Sequence, residues 1–488
     1  MNVYFVVAFL IYFAILLVIG LLAHRKQTSS ADFIMGNRSL NFWLVALSAH
    51  ASDMSAWLFM GLPAAVFTLG LSQSWIAIGL IVGMFLNWKL VAPRLRSMTE
   101  KYDCYTLSSF FEKHFKDFSG TIRVISSVMF ILFLTHYLSA GMIGIGNVLE
   151  SLFNINYYWG LTIALLVVVT YTFIGGYVAV AWTDLFQGVF LFVMILIVPV
   201  LALMKINGLG AIQEVASVKE IDLSFVSDGE PLTLAVLLSL AVGWGIGYFG
   251  MPHVITKFMG IKKTSELNKS MWLGMTWQIV VLSAAILIGL IGIAFFSEGL
   301  NDPQMVFVNM VKDLFHPFLA GFILCGILAA SLSTMDSQIL VCASVLSEDL
   351  YPKFARNEVN SDSKLKVSRL GVVLISLIAL MLSLNRSATI MDTVGYSWAG
   401  LGSSFGPVVL SALYSKRANK YGAIAGILTG GGVVMIWPHL NPLLTSYTIQ
   451  PMIPGFFLSL TVIHAVSYLT NPKLTEENHN STLLKQVV

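Results

Sequence analysis

One long apolar stretch of the sequence carries ionisable side chains near its middle. Asp53 and His50 lie there, among several serines. A carboxylate at the centre of a bilayer costs at least about 2.5 kcal/mol, so such a residue is retained mainly where it has a function. We therefore interpret Asp53 as a functional residue, with satisfaction by neighbouring helices as the alternative. A lone histidine in a helix bundle more often makes a packing hydrogen bond than binds a ligand, and that alternative stands for His50.

A second apolar stretch combines helix-breaking residues with aromatic residues. Four glycines and Pro252 within residues 243–253 lower the cost of unwinding a helix. Trp244 and Tyr248 are four residues apart and therefore share one helix face. An aromatic pair with polar tips beside loose backbone suits a small amphipathic solute. Tight helix packing through small residues is the alternative, but it explains the glycines and not Pro252 together with the aromatic pair.

Adjacent hydroxyl groups mark a third apolar stretch, where Ser333 and Thr334 precede Asp336. Hydroxyl oxygens are hard donors, the kind that Na⁺ and other hard cations prefer. The alternative is that these hydroxyls donate to carbonyls of the preceding helical turn. Two intramembrane hydroxyls therefore suggest a cation site without establishing one.

The elements that must position these residues are membrane-spanning helices. Hydrophobic residues make up 57% of the 488-residue chain and charged residues 11%, with a mean hydropathy of +0.81. A soluble domain carries about 25% charged residues, and a soluble globule this apolar would aggregate. Since a span needs about 20 apolar residues, the apolar runs predict thirteen spans, numbered in chain order, near residues 4–23, 43–70, 74–93, 124–149, 158–175, 180–204, 232–256, 272–296, 317–346, 368–385, 390–414, 421–438 and 452–470.

Positive charge predicts the orientation of these spans. Loops after odd-numbered spans, together with the C-terminal tail, hold 23 Lys and Arg residues, whereas the opposite loops hold 4. Cytoplasmic loops are enriched in Lys and Arg. The sequence therefore predicts an N-terminus outside the cell membrane and a cytoplasmic C-terminus. The longest external loop, about 205–231, has room for one short helix.

The breaks also predict an internal symmetry. Spans 2 and 7 lie five apart, as expected where a five-helix unit that begins with a broken helix is repeated with inverted topology. The two units would be residues 43–205 and 231–415. Residues 1–42 and 416–488 would form the peripheral spans 1, 12 and 13 and the tail. The whole of 1–488 is expected to form one integral membrane domain that moves a small solute.

Five groups of residues in order give the sequence a family resemblance. They are Ala51-Ser52-Asp53-Met54-Ser55 with Gly61-Leu62-Pro63, Tyr171-Thr172-Phe173-Ile174-Gly175-Gly176 with Ala181-Trp182-Thr183-Asp184, Gly247-Tyr248-Phe249-Gly250 with Pro252-His253, Ser333-Thr334-Met335-Asp336-Ser337-Gln338, and Ser397-Trp398-Ala399-Gly400 with Phe405-Gly406-Pro407. On these motifs the chain resembles the sodium:solute symporter family, and within it the bacterial sodium/proline symporters. The resemblance covers nearly the whole chain. It implies a five-plus-five inverted-repeat core like that of the bacterial leucine transporter.

The resemblance also implies a site for Na⁺ between spans 2 and 9. Its ligands would be the backbone carbonyls of Ala51, Met54 and Ala330 and the hydroxyls of Ser333 and Thr334. Na⁺ is thus the only metal ion expected, as the coupling ion, and no cofactor is expected.

Further roles follow from the same resemblance. Coupling or gating is assigned to Asp53, Ser55, Asp184 and Arg38. Asp184 matches a carboxylate that helps a further cation in some relatives, but the neighbouring Asp336 and Ser337 favour one Na⁺ per cycle here. The substrate pocket carries over as Tyr137, Trp244, Tyr248 and Pro252.

Two residues depart from the pattern of the proline carriers. Met251 stands where those carriers usually have Gln, and His50 where they usually have a small residue. Both are candidates for substrate selectivity, so the chain is expected to import L-proline or another small amino or organic acid. Coupling to H⁺ and a non-transporting solute sensor remain alternatives. An enzyme is not expected, since the sequence has no H-E-x-x-H motif, and the expected partners are the solute, Na⁺ and the bilayer, without nucleic acid or an obligate protein partner.

Overall fold

A computed structural model of the chain describes residues 3–23, 30–206, 208–226, 231–355, 359–385, 389–445 and 448–471. Helical backbone occurs at each of the thirteen predicted spans. In order, the spans are Val3–Ala23; Phe42–Ala51 with Trp57–Leu69; Ser74–Leu86, continuing through Asn87–Val91 into Ala92–Lys101; Thr121–Phe153; the two parts of Tyr157–Lys205; Pro231–Gly245 with Ile246–Gly250 and Pro252–Met259; Leu267–Phe295; Pro317–Ser344; Ser361–Ser383; Ile390–Tyr414; Lys420–Leu444; and Met452–Leu469.

The apolar helices account for a multi-pass membrane protein. By length and composition, nine helices in the described ranges can cross a membrane, or ten if the bent pair Leu234–Gly250 and Pro252–Met259 is one span. The other three predicted spans are broken, short or rich in Ser and Gly: span 2, the Tyr157–Thr170 segment of span 5, and span 11. The predicted all-α membrane architecture is therefore confirmed.

Several helices extend beyond the predicted spans. Span 3 continues to Lys101 and span 10 starts at Ser361, because a helix that leaves the bilayer keeps its backbone hydrogen bonds although its side chains become polar. The predicted short helix in the external loop occurs as Leu209–Val218. The charged residues Arg25, Lys26, Arg356 and Arg386 and the tail beyond residue 471 lie outside the described residues.

The loop predicted between spans 5 and 6 is reduced to a sharp change of direction at Gly176. Its backbone has φ 62° and ψ −170° inside an otherwise helical segment. A side chain at these angles clashes with the backbone, so the region is occupied almost only by glycine. This residue therefore lets two helices meet without a connecting loop.

Spans 2 and 7 are both interrupted, as predicted. Helix Phe42–Ala51 ends before a turn at Ser52 and Asp53, and helical backbone resumes only after Ser55, as a π-helix over Trp57–Gly61 that leads into the α-helix Leu62–Leu69. Ser and Asp side chains compete for backbone hydrogen bonds and favour such a break. In span 7, Met251 adopts an extended conformation (ψ 101°), and the two halves of the span meet at 48°. Pro252 at the start of the second half has no N–H to continue the first helix.

Burial differs widely among the spans. In the most apolar window of each helix, 83% of the residues are buried for span 9, but only 22% for span 1 and 33% for spans 10, 12 and 13. Span 9 packs against spans 4, 5 and 6, while spans 12 and 13 pack against each other and span 11. Low burial is thus shared by spans 1, 12 and 13 and by span 10, and the assignment of spans 1, 12 and 13 as peripheral stays a prediction.

One assignment from the charge count is wrong. The predicted end of span 7 at residue 256 puts Lys257 in a cytoplasmic loop, but this residue lies in the half-helix Pro252–Met259 and is 2% exposed. The half-helix begins late because of the break at Met251, so its charged residue remains inside the protein. The charge asymmetry does not depend on this residue, since 22 against 4 Lys and Arg remain.

Candidate functional site

The break in span 2 is joined to span 9 by hydroxyl groups. Ser333 Oγ donates to the Ala51 carbonyl at 2.9 Å and lies 3.0 Å from the Ala330 carbonyl. Thr334 Oγ1 donates to the same Ala330 carbonyl at 3.1 Å. The structure therefore brings together four of the five residues predicted to bind Na⁺. The fifth, Met54, is fully buried in the break, where its N–H donates to the His50 carbonyl at 3.3 Å.

A hydrogen-bond chain connects the two broken spans. The Tyr248 hydroxyl donates to Asp53 Oδ2 and accepts from Gln278 Nε2 at 3.1 Å. All three residues are buried, and Trp57 Nε1 donates to the Asp53 carbonyl at 3.1 Å. The carboxylate of span 2 is therefore tied to span 7 and, through Gln278, to span 8. A movement that separates Tyr248 from Asp53 would break this chain.

Aromatic rings form a wall beside this chain. The Trp244 ring lies 6.5 Å from Trp57 and 6.0 Å from Trp398, and Tyr248 meets Trp398 edge to face at 5.0 Å. Trp398 Nε1 also donates to the Trp244 carbonyl at 2.9 Å, which fixes span 11 against the loosened part of span 7. The wall is apolar on its surface and carries polar groups at its edge, as an amphipathic solute requires.

Several buried polar atoms next to this wall have no hydrogen-bond partner among the described residues. They include Asp53 Oδ1, Ser55 Oγ and Tyr137 Oη. Asp53 is close enough to interact electrostatically with the Tyr137 hydroxyl, and the side chains of Ser55 and Trp57 lie next to it. An unsatisfied buried polar group costs about 1–3 kcal/mol. Three of them around one break indicate a place where a polar ligand binds.

A second charged cluster lies on the other side of the break in span 2. Asp184 Oδ2 accepts from Lys257 Nζ at 2.9 Å, from Ser48 Oγ at 2.6 Å and from Ser52 Oγ at 3.3 Å. Ser52 Oγ lies 2.9 Å from Ser337 Oγ. All five side chains are buried. The cluster joins spans 2, 6, 7 and 9, and we call it the Asp184 cage.

The two selectivity candidates lie in different surroundings. His50 Nε2 accepts from Trp88 Nε1 at 3.1 Å, and its ring lies 6.1 Å from Trp88 and 6.2 Å from Trp277. These contacts place His50 between spans 2, 3 and 8. Met251 is fully buried at the break in span 7, directly before Pro252.

Two further predicted residues lie towards the end of the bundle that carries the positively charged loops. Arg38 Nη2 donates to the carbonyls of Thr99 and Cys104 at 2.9 and 3.0 Å, and its guanidinium lies 5.8 Å from the Tyr105 ring centre. These contacts of Arg38 are therefore with the 99–105 segment and not with the break in span 2. Pro252 lines a cavity that also reaches Tyr105.

Sequence reasoning missed Lys257 and Gln278 as members of this region. The available signal for Lys257 is its position five residues after the helix-breaking Pro252. A half-helix that starts at this proline starts deep in the protein, so its first turns are buried. Gln278 is a single neutral amide in an apolar span, and nothing in the sequence predicts its partner. Trp398 stood in a matched motif without an assigned role.

Comparisons with known proteins agree with this geometry. The family model of the sodium:solute symporter family matches residues 33–430. The osmoregulated proline transporter OpuE of Bacillus subtilis (strain 168) is 40% identical over 475 residues, covering 96% of this chain and 96% of the relative. Sodium/proline symporter 2 of Staphylococcus saprophyticus is also 40% identical, covering 98% of this chain and 95% of the relative.

Solved structures show the same fold. A Na⁺-coupled sialic acid symporter in its substrate-bound outward-open state has a TM-score of 0.81 at 18% identity, covering 97% of this chain and 99% of that one. MhsT in complex with L-phenylalanine has a TM-score of 0.56 at 15% identity, covering 87% and 97% of the two chains. The predicted leucine-transporter-like fold class is confirmed at the level of overall architecture.

Proposed function

The chain belongs to the sodium:solute symporter family, and we propose that it couples the entry of Na⁺ to the uptake of L-proline by alternating access. The observation that carries the proposal is the bridge from the Ser333 hydroxyl to the Ala51 carbonyl, because it gathers oxygen atoms at the break in span 2. The identity of 40% over nearly the full chain to relatives named for proline transport supports the substrate. As a member of this family the protein is a transporter and not an enzyme.

Na⁺ would bind where spans 2 and 9 meet. Its proposed ligands are the carbonyls of Ala51, Met54 and Ala330 and the hydroxyls of Ser333 and Thr334. The two hydroxyls now donate to the Ala51 and Ala330 carbonyls, so Na⁺ replaces hydrogen bonds between oxygens that are already close. Binding then requires little rearrangement of the backbone, and it fixes the irregular segment of span 2 against span 9.

The solute would bind beside the aromatic wall. Proline carries an ammonium group, a carboxylate and an apolar ring. We assign the ammonium to Asp53 Oδ1, the carboxylate to the hydroxyls of Ser55 and Tyr137, and the ring to the face of Trp244. Each of the three polar atoms is buried without a partner in the described part of the chain, so the solute completes hydrogen bonds that the protein leaves unmade.

The two ligands would be coupled through Asp53. Na⁺ orders the break, and the break carries both Asp53 and Ser55, so the ion pre-organises the solute site. Each ligand then raises the affinity of the other by the same factor, typically about 1–3 kcal/mol of coupling free energy. The proposed topology, with the N-terminus outside and the C-terminus in the cytoplasm, makes the inward Na⁺ gradient drive uptake. The proposed inverted repeats, 43–205 and 231–415, would each contribute one broken span.

Purified protein in proteoliposomes tests the proposal. An imposed inward Na⁺ gradient should drive accumulation of labelled proline, and the double variant Ser333→Ala/Thr334→Ala should abolish it. The matched control is Thr276→Ala/Ser283→Ala, which removes the same two groups from the exposed face of span 8, where both hydroxyls donate within their own helix. Sodium dependence that survives in the Ser333→Ala/Thr334→Ala variant would refute the proposed ion site.

A competition panel tests the substrate separately, since Met251 and His50 depart from the pattern of the proline carriers. Small amino and organic acids compete with labelled proline, each with and without Na⁺. Tight binding of one of them, with no binding of proline at millimolar concentration, would identify that compound as the cargo in place of proline. Uptake that persists without Na⁺ but collapses with the pH gradient would identify H⁺ as the coupling ion, and binding without uptake would identify a sensor.

A further inference from the structure

The Asp184 cage already contains a positive charge. Lys257 Nζ lies 2.9 Å from Asp184 Oδ2, and hydroxyls of Ser48 and Ser52 approach the same oxygen. A carboxylate surrounded by hydroxyl oxygens is the donor set that a hard cation prefers. Here an ammonium group on the protein takes that position.

The arrangement is too buried to be an incidental ion pair. The side chains of Lys257 and Asp184 are 2% and 0% exposed. Removing two charges from water costs several kcal/mol per ion, and their attraction offsets this only in good geometry, so such a pair is weak evidence for stability. Ionised residues at this depth in a membrane protein mark ion or substrate pathways.

The cage lies one helical turn from the proposed Na⁺ site. Ser52 follows Ala51 in the break, and Ser337 follows Ser333 by four residues on span 9. Asp184 Oδ1 has no hydrogen-bond partner among the described residues, so the carboxylate has a further oxygen available for a cation. Lys257 and Ser337 also line the cavity that reaches Tyr105, so this small cavity borders the cage.

We propose that Lys257 is a tethered cation that takes the place of a second Na⁺ in the Asp184 cage, so that this chain binds one Na⁺ per cycle. The stoichiometry rests on the proposed function, because the single remaining ion is the one at Ser333. The replacement of an ion by Lys257 rests only on the cage itself. Shortening Lys257 should therefore open a site that Na⁺ fills.

The number of bound ²²Na⁺ ions per purified full-length chain tests this. Wild type should bind one ion and Lys257→Ala two. Lys257→Ala/Asp184→Asn should bind one again, since the carboxylate that attracts the second ion is gone. The matched control Lys263→Ala removes an exposed lysine and should keep one. Lys257→Ser, which is also much shorter than lysine and should likewise bind two ions, serves as a second variant if Lys257→Ala does not fold.

The outcomes separate this inference from the proposed function. Two ions in wild type, whatever the variants do, or a folded Lys257→Ala protein that binds no more ions than wild type, would overturn the tethered cation. No ion in wild type and one in Lys257→Ala would refute the Ser333 site and support the cage. In proteoliposomes, opening the cage should also raise the Hill coefficient for Na⁺-dependent uptake from about one towards two.

Discussion

The hydroxyl of Tyr248 makes a direct hydrogen bond from one broken span to the other. The variant Tyr248→Phe removes it and leaves the ring, so the edge-to-face contact with Trp398 at 5.0 Å is kept. Asp53 Oδ2 then loses the hydrogen bond that it accepts from Tyr248, while Oδ1 already has no partner in the described part of the chain. Gln278 Nε2 loses its acceptor as well. A hydrogen bond to a charged group contributes about 1.5–3 kcal/mol.

The lost hydrogen bond stabilises the conformation in which spans 2 and 7 are held together to bind proline and Na⁺. If the bound state requires spans 2 and 7 to be tied, weakening the tie lowers the population of that arrangement, and the apparent affinity falls with it. At about 1.4 kcal/mol per tenfold change, the half-saturating concentrations of proline and Na⁺ should both rise, by roughly 10- to 100-fold at most. The melting temperature should fall as well.

Tyr137→Phe provides the matched comparison. The Tyr137 hydroxyl has no partner in the described part of the chain, so its removal breaks no hydrogen bond of the protein itself. It should weaken proline binding without lowering the melting temperature. Concentration series of proline and Na⁺ in proteoliposomes, with thermal melts of the same preparations, measure all of these quantities. A Tyr248→Phe carrier with both half-saturating concentrations within about twofold of wild type and an unchanged melting temperature would refute the reasoning.

Two other perturbations follow from the structure. Gly176→Ala places a side chain at φ 62°, ψ −170°, which costs about 1–3 kcal/mol, so the melting temperature should fall. The control Gly432→Ala has open space around the new Cβ and should melt like wild type. Equal melting temperatures of the two variants would contradict the role of Gly176. Arg38→Ala removes two hydrogen bonds to the 99–104 segment, so buried Cys104 should become reactive to a thiol reagent applied to the proposed cytoplasmic face. Labelling that is unchanged, or that persists with Cys104→Ser, would show that Arg38 does not hold this segment closed.

The helices and their interruptions could be predicted because each depends on local chemistry. Apolar runs must leave water, so the position of every span was evident from the sequence. Asp53, the serines around it and Pro252 disfavour regular helix wherever they lie, so the breaks were evident too. The turn at Gly176 was not, since two adjacent apolar spans normally need a loop, and only the backbone geometry shows that one glycine replaces it.

The partners of the polar side chains could not be predicted in the same way. Lys257 was counted as a loop residue because a lysine after an apolar run normally reaches water, and only the delayed start of the half-helix Pro252–Met259 keeps it inside. Gln278 and Trp88 bind Tyr248 and His50 from other spans. Their positions depend on how the spans pack, and a hydropathy pattern contains no information about rotation of one helix against another.

A tethered cation lowers the free energy that each transport cycle can use to accumulate proline. Proline has no net charge at neutral pH, so each cycle moves as many charges as it moves Na⁺ ions. One Na⁺ entering down 100 mV and a tenfold gradient releases about 3.7 kcal/mol, which sets a ceiling near 500-fold accumulation. Two ions would release about 7.4 kcal/mol and raise the ceiling to roughly 3 × 10⁵-fold. If Lys257 replaces the second ion, the carrier gives up that steep accumulation and needs only one bound ion to complete its cycle, which suits uptake at low external Na⁺.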